Sequence, residues 1–499
     1  MVANIVQVAT RLITVPVVIH HLGLGGYGIW NVIMMTATYM RFGSVGVKTA
    51  FQKYVAEATG SGEYERANEL LSTGSAIMLV ISTLGLIPVA FFSRDIARLS
   101  GVPPEFLKSA ATSISLLAVI MLMSNVGAAF ESIVMGGHRI DLLRKFAAYL
   151  SIGEACGIIA VMTFGYGLAA LSMVIGASEL IYLTSCYIAS NQIVPQIRVR
   201  MCSVKREALR EFFRFAGSYQ LVNLLDVAYN SLIPVSILSS FGAELAGVYA
   251  VVTRVVGSAA MLQDSFLAPI LSAGAMVFAS GNASKVQALL SKAFKVTLGL
   301  SLFPLGFITI FGQMIAYAWT GQVNQDFRST FMLVCARSLF IALSTLGLVL
   351  YRATGKVVLD NMRQVFRVAV IVALLLFSRR LGFVGVLSGL ALCELAGVFF
   401  ILYAMGKTFE VFKAKHILPG MIRISAASVL ILAIGMAVYF IPLPEAKTAR
   451  IASALKLVEV GMACVVVTWP LLLKTGSIDE AEKRAILGSL FPGHSSPTA

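Results

Sequence analysis

Residues 72–92 read STGSAIMLVISTLGLIPVAFF, 21 residues without a single charge. About 20 apolar residues are what an α-helix needs to cross the hydrocarbon layer of a bilayer. Because no water reaches the peptide groups there, a segment of this kind must satisfy its own backbone and is helical. Similar apolar runs lie on both sides of it. Two precede it, at 2–22 and 28–47, and eleven follow, at 111–135, 146–164, 168–190, 213–238, 245–266, 294–317, 331–351, 363–379, 383–405, 422–441 and 455–473. The sequence therefore predicts an all-α polytopic membrane protein of about 14 transmembrane helices, with 12 as the lower count. The whole chain agrees: 499 residues, 58% hydrophobic, 13% charged, with a mean hydropathy of +0.86. The runs leave no room for a separate soluble domain. Met1 to His20 has neither a basic leading segment nor a small-residue cleavage site, so it reads as a first transmembrane helix and not as a signal peptide.

The formal net charge is +15, which in a soluble chain would suggest nucleic acid. Here the basic residues fall in short connections between apolar runs, where they set orientation, and no nucleic-acid partner is expected. With both termini cytoplasmic, the loops at 48–71, 136–145, 191–214, 276–295, 352–367 and 406–423 and the tail hold about 26 of the 39 Lys and Arg, against about 9 in the opposite loops. The connections His20 to Tyr27, Gly165 to Gly167 and Ser239 to Ala246 carry none, as an outward face requires. The six cysteines, Cys156, Cys186, Cys202, Cys335, Cys393 and Cys464, stand singly, without the paired spacing of a zinc site or a disulfide framework. No metal and no cofactor are expected.

An internal repeat runs at an offset of about 219 residues. Gly23 followed by Gly28-Ile29-Trp30 recurs as Gly242 followed by Gly247-Val248-Tyr249. Leu70-Leu71-Ser72 recurs as Leu289-Leu290-Ser291, and Ile96-Ala97 with Gly101 recurs as Ile315-Ala316 with Gly321. Glu179-Leu180 is echoed by Glu394-Leu395. This predicts an N-terminal six-helix lobe over 1–205 and a C-terminal six-helix lobe over 206–405, related by a pseudo-two-fold axis along the membrane normal. Two additional helices over 406–475 and a cytoplasmic tail over 476–499 complete the chain. The space between such lobes is where transporters place substrate.

Charge within apolar runs marks the candidate site. An arginine near the bilayer centre costs about 2.5–3.5 kcal/mol on insertion scales, so it should face a wet cavity. Arg11, Arg41, Arg254 and Arg337 are placed in this way. Asn4, Gln7, Arg11 and Thr14 share one helical face, as do Asn31, Thr38 and Arg41. In the second half, Tyr219, Asn223, Asp226 and Asn230 form a polar stripe, with Arg254 and Ser258 on the next helix. The competing reading is a set of interhelical hydrogen bonds, with Arg41, near its helix end, snorkelling to the headgroups. Guanidinium groups in a water-filled cavity suit an anionic ligand, because arginine stays charged and grips phosphate oxygens in pairs.

The acidic residues in or near the runs are Glu154, Glu179, Asp226, Glu394 and Glu459. Asp226 with Arg254 is the first pair to test, and Glu179, Glu394 and Asp226 are candidates for ion coupling by H+ or Na+. No catalytic motif is present: there is no nucleophile elbow, no Walker A sequence and no H-E-x-x-H. Lys48 to Leu71 reads as an amphipathic surface helix, and the basic stretch Arg198 to Arg214 as a segment drawn to anionic lipid.

Arg11-Leu-Ile-Thr-Val-Pro16, His21-Leu22-Gly23 and Tyr27-Gly28-Ile29-Trp30 resemble the opening of polysaccharide repeat-unit flippases, within the multidrug, oligosaccharidyl-lipid and polysaccharide exporter superfamily. Tyr39, Phe42-Gly43, Ala56, Gly60, Gly62 and Glu63 resemble that family's second helix and first loop. Phe215 to Asp226, Phe241-Gly242 and Gly247-Val248-Tyr249 resemble the start of its second half. The resemblance implies a monomeric, inner-membrane flippase that alternates access around a cationic cavity. The implied cargo is an undecaprenyl-pyrophosphate-linked oligosaccharide for O-antigen, capsule or exopolysaccharide, with Arg11, Arg41 and Arg254 toward the pyrophosphate. It also implies membrane lipids, a polysaccharide polymerase and glycosyltransferases as partners. A multidrug or cation antiporter of the same superfamily, or a membrane-embedded glycan polymerase or glycosyltransferase, is the alternative.

Overall fold

The computed structural model describes residues 2–41, 44–199, 225–260, 283–353, 357–408, 414–442 and 448–474. These residues are all-α. The helices are α1 (Val2–Arg41), α2 (Ser44–Ser61), α3 (Tyr64–Leu99), α4 (Pro104–Gly136), α5 (Ile140–Thr163), α6 (Leu168–Ile193), α7 (225–241), α8 (Ala243–Ala260), α9 (Ala283–Thr320), α10 (Asp326–Ala353), α11 (Val357–Leu376), α12 (Ser378–Thr408), α13 (Ala414–Tyr439) and α14 (Ala449–Lys474). Among the described residues, eleven helices are long and apolar enough to cross a membrane.

The first two predicted spans are the arms of α1. The chain leaves helical geometry at Gly23, with φ 73° and ψ 172°. A residue with a Cβ rarely adopts this left-handed backbone, and glycine does so without steric cost. Gly242, between α7 and α8, has φ 89°, so the repeat read in the sequence exists in the backbone. The other repeated glycines behave alike, Gly101 at φ 80° and Gly321 at φ 74°. A further pair at a nearby offset, 217 residues, is Gly165 at φ 77°, between α5 and α6, and Gly382 at φ 67°, within α12.

One expected element differs. The amphipathic segment 48–71 is not one helix, because α2 ends at Ser61, Gly62 turns left-handed at φ 81°, and α3 begins at Tyr64. The apolar face of α2 (Phe51, Tyr54, Val55) packs against Leu70 and Leu71 of α3 and Ala129 and Ile133 of α4, so this helix is part of a core.

Two compact units make up the chain, Met1–Ala250 with Asn361–Val386, and Val251–Asp360 with Leu387–Ala499. In the first unit α4 is central, packing against α1, α2, α3 and α6. Pro104 at its first turn starts it without wasting a backbone donor. Its buried Asn125 donates Nδ2 to Ser82 Oγ of α3 at 2.9 Å, a bond of the kind worth about 0.6 kcal/mol between membrane helices. At one end of this unit the turns meet. A Cβ on Gly28 would lie 2.5 Å from the Ala243 carbonyl oxygen, and one on Gly247 would run into the Leu24 carbonyl. Gly101 lies as closely on Ser239, the Ser240 and Ser378 hydroxyls share a 3.0 Å hydrogen bond, and Phe241 meets Phe383 edge to face.

In the second unit α9 packs against α10, α13 and α14. Phe311, Ile431, Val460 and Cys464 form the centre of that contact. Arg450, entering α14, donates Nε to the Ala318 carbonyl at 3.0 Å and Nη2 to the Trp319 carbonyl, meeting acceptors that the end of α9 leaves open.

Candidate functional site

The first unit holds a cavity of about 310 Å³ between α1, α4, α5 and α6. From α1 come Gln7, Thr10, Arg11 and Thr14, one face at helical spacing, as the sequence implies. Opposite them stand Glu131 of α4, Ser151 and Glu154 of α5, and Ser178, Glu179 and Tyr182 of α6. A 2.7 Å hydrogen bond between the Thr10 and Ser151 hydroxyls ties α1 to α5 at the wall. Lys48 of α2 holds Glu131 at 2.6 Å. Glu179 keeps one carboxylate oxygen, Oε1, buried and without a hydrogen-bond partner among the described residues.

The structure thus brings Arg11, Gln7 and Glu179 together, and adds Glu154 and Glu131. Glu131 was not singled out by sequence reasoning, since Lys48, 83 residues away, is what draws it into the site. Among the described residues, no group of His, Cys, Asp and Glu side chains could hold a metal ion.

A second polar set belongs to α7 and α11 in the same unit. Asp226 does bind an arginine, but it is Arg367: Nη1 donates to Asp226 Oδ1 at 2.8 Å and to Gln364 Oε1 at 2.7 Å. The guanidinium also lies 4.0 Å over the Tyr229 ring, a cation–π contact. Arg363, Gln364 and Arg367 form the buried face of α11, whereas Met362, Val365 and Phe366 form its exposed face. Neither Arg363 nor Arg367 was a sequence candidate, because both were counted as loop charges before or at the start of a shorter helix. The missed signal is their i, i+4 spacing, which puts both on one face of a helix that begins at Val357.

The remaining candidates are dispersed. Arg337 is buried on α10 and Glu394 wholly buried on α12, both in the second unit. Arg254 of α8 is exposed, its carbonyl accepting a hydrogen bond from Ser258. Asn230 is exposed and donates Nδ2 to the Asp226 carbonyl at 3.0 Å, and Asn31 is half-buried in the second arm of α1. Arg41 ends α1. Asn223, Tyr219, the basic stretch beyond 199 and the tail over 476–499 lie outside the described residues.

With this geometry in hand, three solved structures share the architecture. An inward-facing multidrug resistance MATE family transporter of the MOP superfamily aligns over 81% of this chain and 96% of its own, at a TM-score of 0.68 and 15% identity. The lipid II flippase MurJ, in an inward closed conformation, aligns over 95% and 99%, at 0.65 and 14%. The chain has their fold. A Pyrococcus furiosus MOP superfamily transporter, described as having a binding pocket of reverse polarity, aligns over 83% and 94%, at 0.61 and 16%. The MatE family model matches residues 1–142, which contain α1 to α4. An uncharacterized membrane protein, EpsK of Bacillus subtilis (strain 168), is 24% identical over 269 residues, 52% of each chain. The chain thus spans about half the length of that curated relative.

Proposed function

We propose that this protein is a bacterial inner-membrane flippase that carries an undecaprenyl-pyrophosphate-linked oligosaccharide from the cytoplasmic to the outer leaflet by alternating access, with both termini cytoplasmic. The observation that carries the reading is the burial of guanidinium groups on largely apolar helices. Arg337, within the apolar span Asp326–Thr345, and Arg363 and Arg367 on α11 are each less than one-tenth exposed, and an arginine inside a bilayer costs several kcal/mol unless an anion or a polar partner compensates. A transporter of anionic lipid has a use for that cost, because the diphosphate needs fixed positive charge on its route. The likeness in fold to a lipid II flippase supports the same reading. Glu179, which lines the same cavity as Arg11 and has one oxygen without a hydrogen-bond partner among the described residues, is the residue we assign to coupling with a proton.

A second reading has its own observation. The cavity of the first unit carries Glu131, Glu154 and Glu179 against Arg11, a carboxylate excess that suits a cationic drug. The test is to deplete the protein in its host and to assay undecaprenyl-linked glycans with a membrane-impermeant glycosidase. Complete repeat units trapped on the cytoplasmic face, reproduced by Arg11→Ala, support the flippase. Normal sidedness with new sensitivity to cationic compounds favours the exporter, and an incomplete glycan points to an enzyme of glycan assembly.

A further inference from the structure

We infer that the cavity of the first unit, about 310 Å³ in volume, is a sugar subsite that accepts a pyranose ring bearing hydroxyl or amide hydrogens and rejects one bearing a carboxylate. The inference deepens the flippase reading and rests on it for a role in transport, but the site itself is argued from its lining.

The lining has two characters. Gln7 and Thr14 of α1, Ser151 of α5, and Ser178 and Tyr182 of α6 bring uncharged hydrogen-bonding groups, whereas Leu150, Ile158 and Ile175 bring apolar surface. A sugar ring has the same two characters, hydroxyls around its rim and C–H groups on its faces. An acyl chain in this cavity would strip the polar groups of water and return no hydrogen bond, which is costly. The volume falls at the small end of the range for small-molecule sites, about 300–1,000 Å³, so it suits a ring or two rather than a whole repeat unit.

Within the lining one acceptor is in need of a donor. Glu179 Oε1 is buried and has no hydrogen-bond partner among the described residues. An ionised carboxylate only accepts, and a buried acceptor left unmade is expensive, so the occupant that relieves it brings an O–H or N–H. The walls around it are already set. Lys48 holds Glu131 at 2.6 Å, and the hydroxyls of Thr10 and Ser151 are bonded to each other at 2.7 Å. Such preorganisation lowers the cost of ordering a site when ligand arrives.

Charge sets the selectivity. Glu131, Glu154 and Glu179 line the cavity with Arg11. Arg11 and Lys48 together offset two of the three carboxylates, which leaves an excess of one. A uronate entering this space meets like charge in a partly enclosed site, and repulsion of that kind is how a site rejects a close relative of its ligand. The position also fits loading from the cytoplasm. By helix rise, Glu131 lies roughly 8 Å from the end of α4 at Gly136 and Tyr182 roughly 16 Å from the end of α6 at Ile193, the ends that the pattern of basic loops assigns to the cytoplasmic side.

The experiment uses the full chain in phosphatidylcholine nanodiscs and saturation-transfer NMR with methyl glucoside and methyl glucuronide, which differ only by a hydroxymethyl group in place of a carboxylate. The glucoside should bind at least fivefold more tightly. Ala147→Phe, which fills the cavity from α5 and leaves every polar group in place, should abolish glucoside binding. Glu179→Ala should weaken it at least fivefold. Glu179→Gln, which keeps an oxygen and drops the charge, should retain it within twofold and narrow the gap to the glucuronide. Asp141→Asn, an equal charge change at an exposed residue outside the cavity, should match the unmodified chain. A thermal melt of each variant separates loss of binding from loss of fold. Absent glucoside binding, equal binding of the two glycosides, or glucoside binding that survives in a folded Ala147→Phe overturns the inference. Tetraphenylphosphonium binding where no glycoside binds also overturns it, in favour of a drug site. Glycan sidedness is read separately. Normal sidedness with the glycoside pattern intact removes the cargo and keeps the site, whereas trapped glycan with no glycoside response removes the site and keeps the cargo.

Discussion

The two halves of the repeat agree in backbone and differ in charge. Gly23 and Gly242, Gly101 and Gly321, and Gly165 and Gly382 are all left-handed, so three turns of one half have counterparts in the other. The repeated glutamates do not correspond in this way. Glu179 lines a cavity with an oxygen left without a hydrogen-bond partner among the described residues, whereas Glu394 is wholly buried. The polar partners differ as well: Arg11 faces carboxylates from three other helices, while Asp226 is held by α11. A duplicated scaffold keeps what the backbone requires, because a turn built on positive φ rejects most side chains. Ionisable groups are under no such rule, and each half can take its own chemistry.

The largest expected effect tests the shared backbone. Gly28→Leu and Gly247→Leu place side chains where even a Cβ meets backbone atoms of the facing turn. Each should cost about 3 kcal/mol or more of stability, beyond ordinary overpacking, and lower the melting temperature in detergent. Gly257→Ala on α8, with no atom of the described residues within 4 Å of its Cβ position, should be neutral or slightly stabilising. If only one of the two glycines is sensitive, the halves are not equivalent at their contact. Next in size is the divergence of the glutamates. Glu394→Ala empties a fully buried site and should cost about 2–3 kcal/mol. Glu179→Gln should leave the melting temperature nearly unchanged while lowering transport about tenfold in a proton-gradient vesicle assay. A Glu394→Gln variant that loses transport with its stability intact would restore the symmetry that the structure denies.

Smaller effects are expected at the ion pairs. Lys48→Met removes the partner of a half-buried Glu131 and should cost about 1 kcal/mol by chemical denaturation, within the range for partly screened pairs. The exposed Arg139–Asp141 pair, at 3.0 Å, should be silent on substitution, because water screens it fully. If the two pairs respond equally, burial in the first unit is weaker than its geometry suggests.

Much of the fold can be read from hydropathy alone, since the runs at 72–92 and 111–135 lie inside α3 and α4. The glycine repeat is also legible, because a turn needing positive φ leaves its residue in the sequence. What the sequence hides is compensation. Arg363 and Arg367 fall among the loop charges at the edge of the apolar run at 363–379, since a linear reading sees neither that α11 begins at Val357 nor that Asp226, 141 residues from Arg367, lies 2.8 Å from it. The pairing of Lys48 with Glu131 is invisible for the same reason. The third pair of left-handed glycines is harder to see because Gly165 and Gly382 stand 217 residues apart, out of step with the 219-residue spacing of Gly23 and Gly242.

The packing of α9 also bears on how the molecule is made. Its partners α13 and α14 are encoded about 100 residues downstream of its end, and ribosomes add about 5–20 residues per second. For some seconds, then, the face bearing Phe311 stands in lipid, and the Ala318 and Trp319 carbonyls await Arg450. Insertion of α9 and assembly of its core are thus separate events in the birth of the protein. A ribosome that pauses before residue 449 leaves behind a membrane-inserted chain whose second unit is still open.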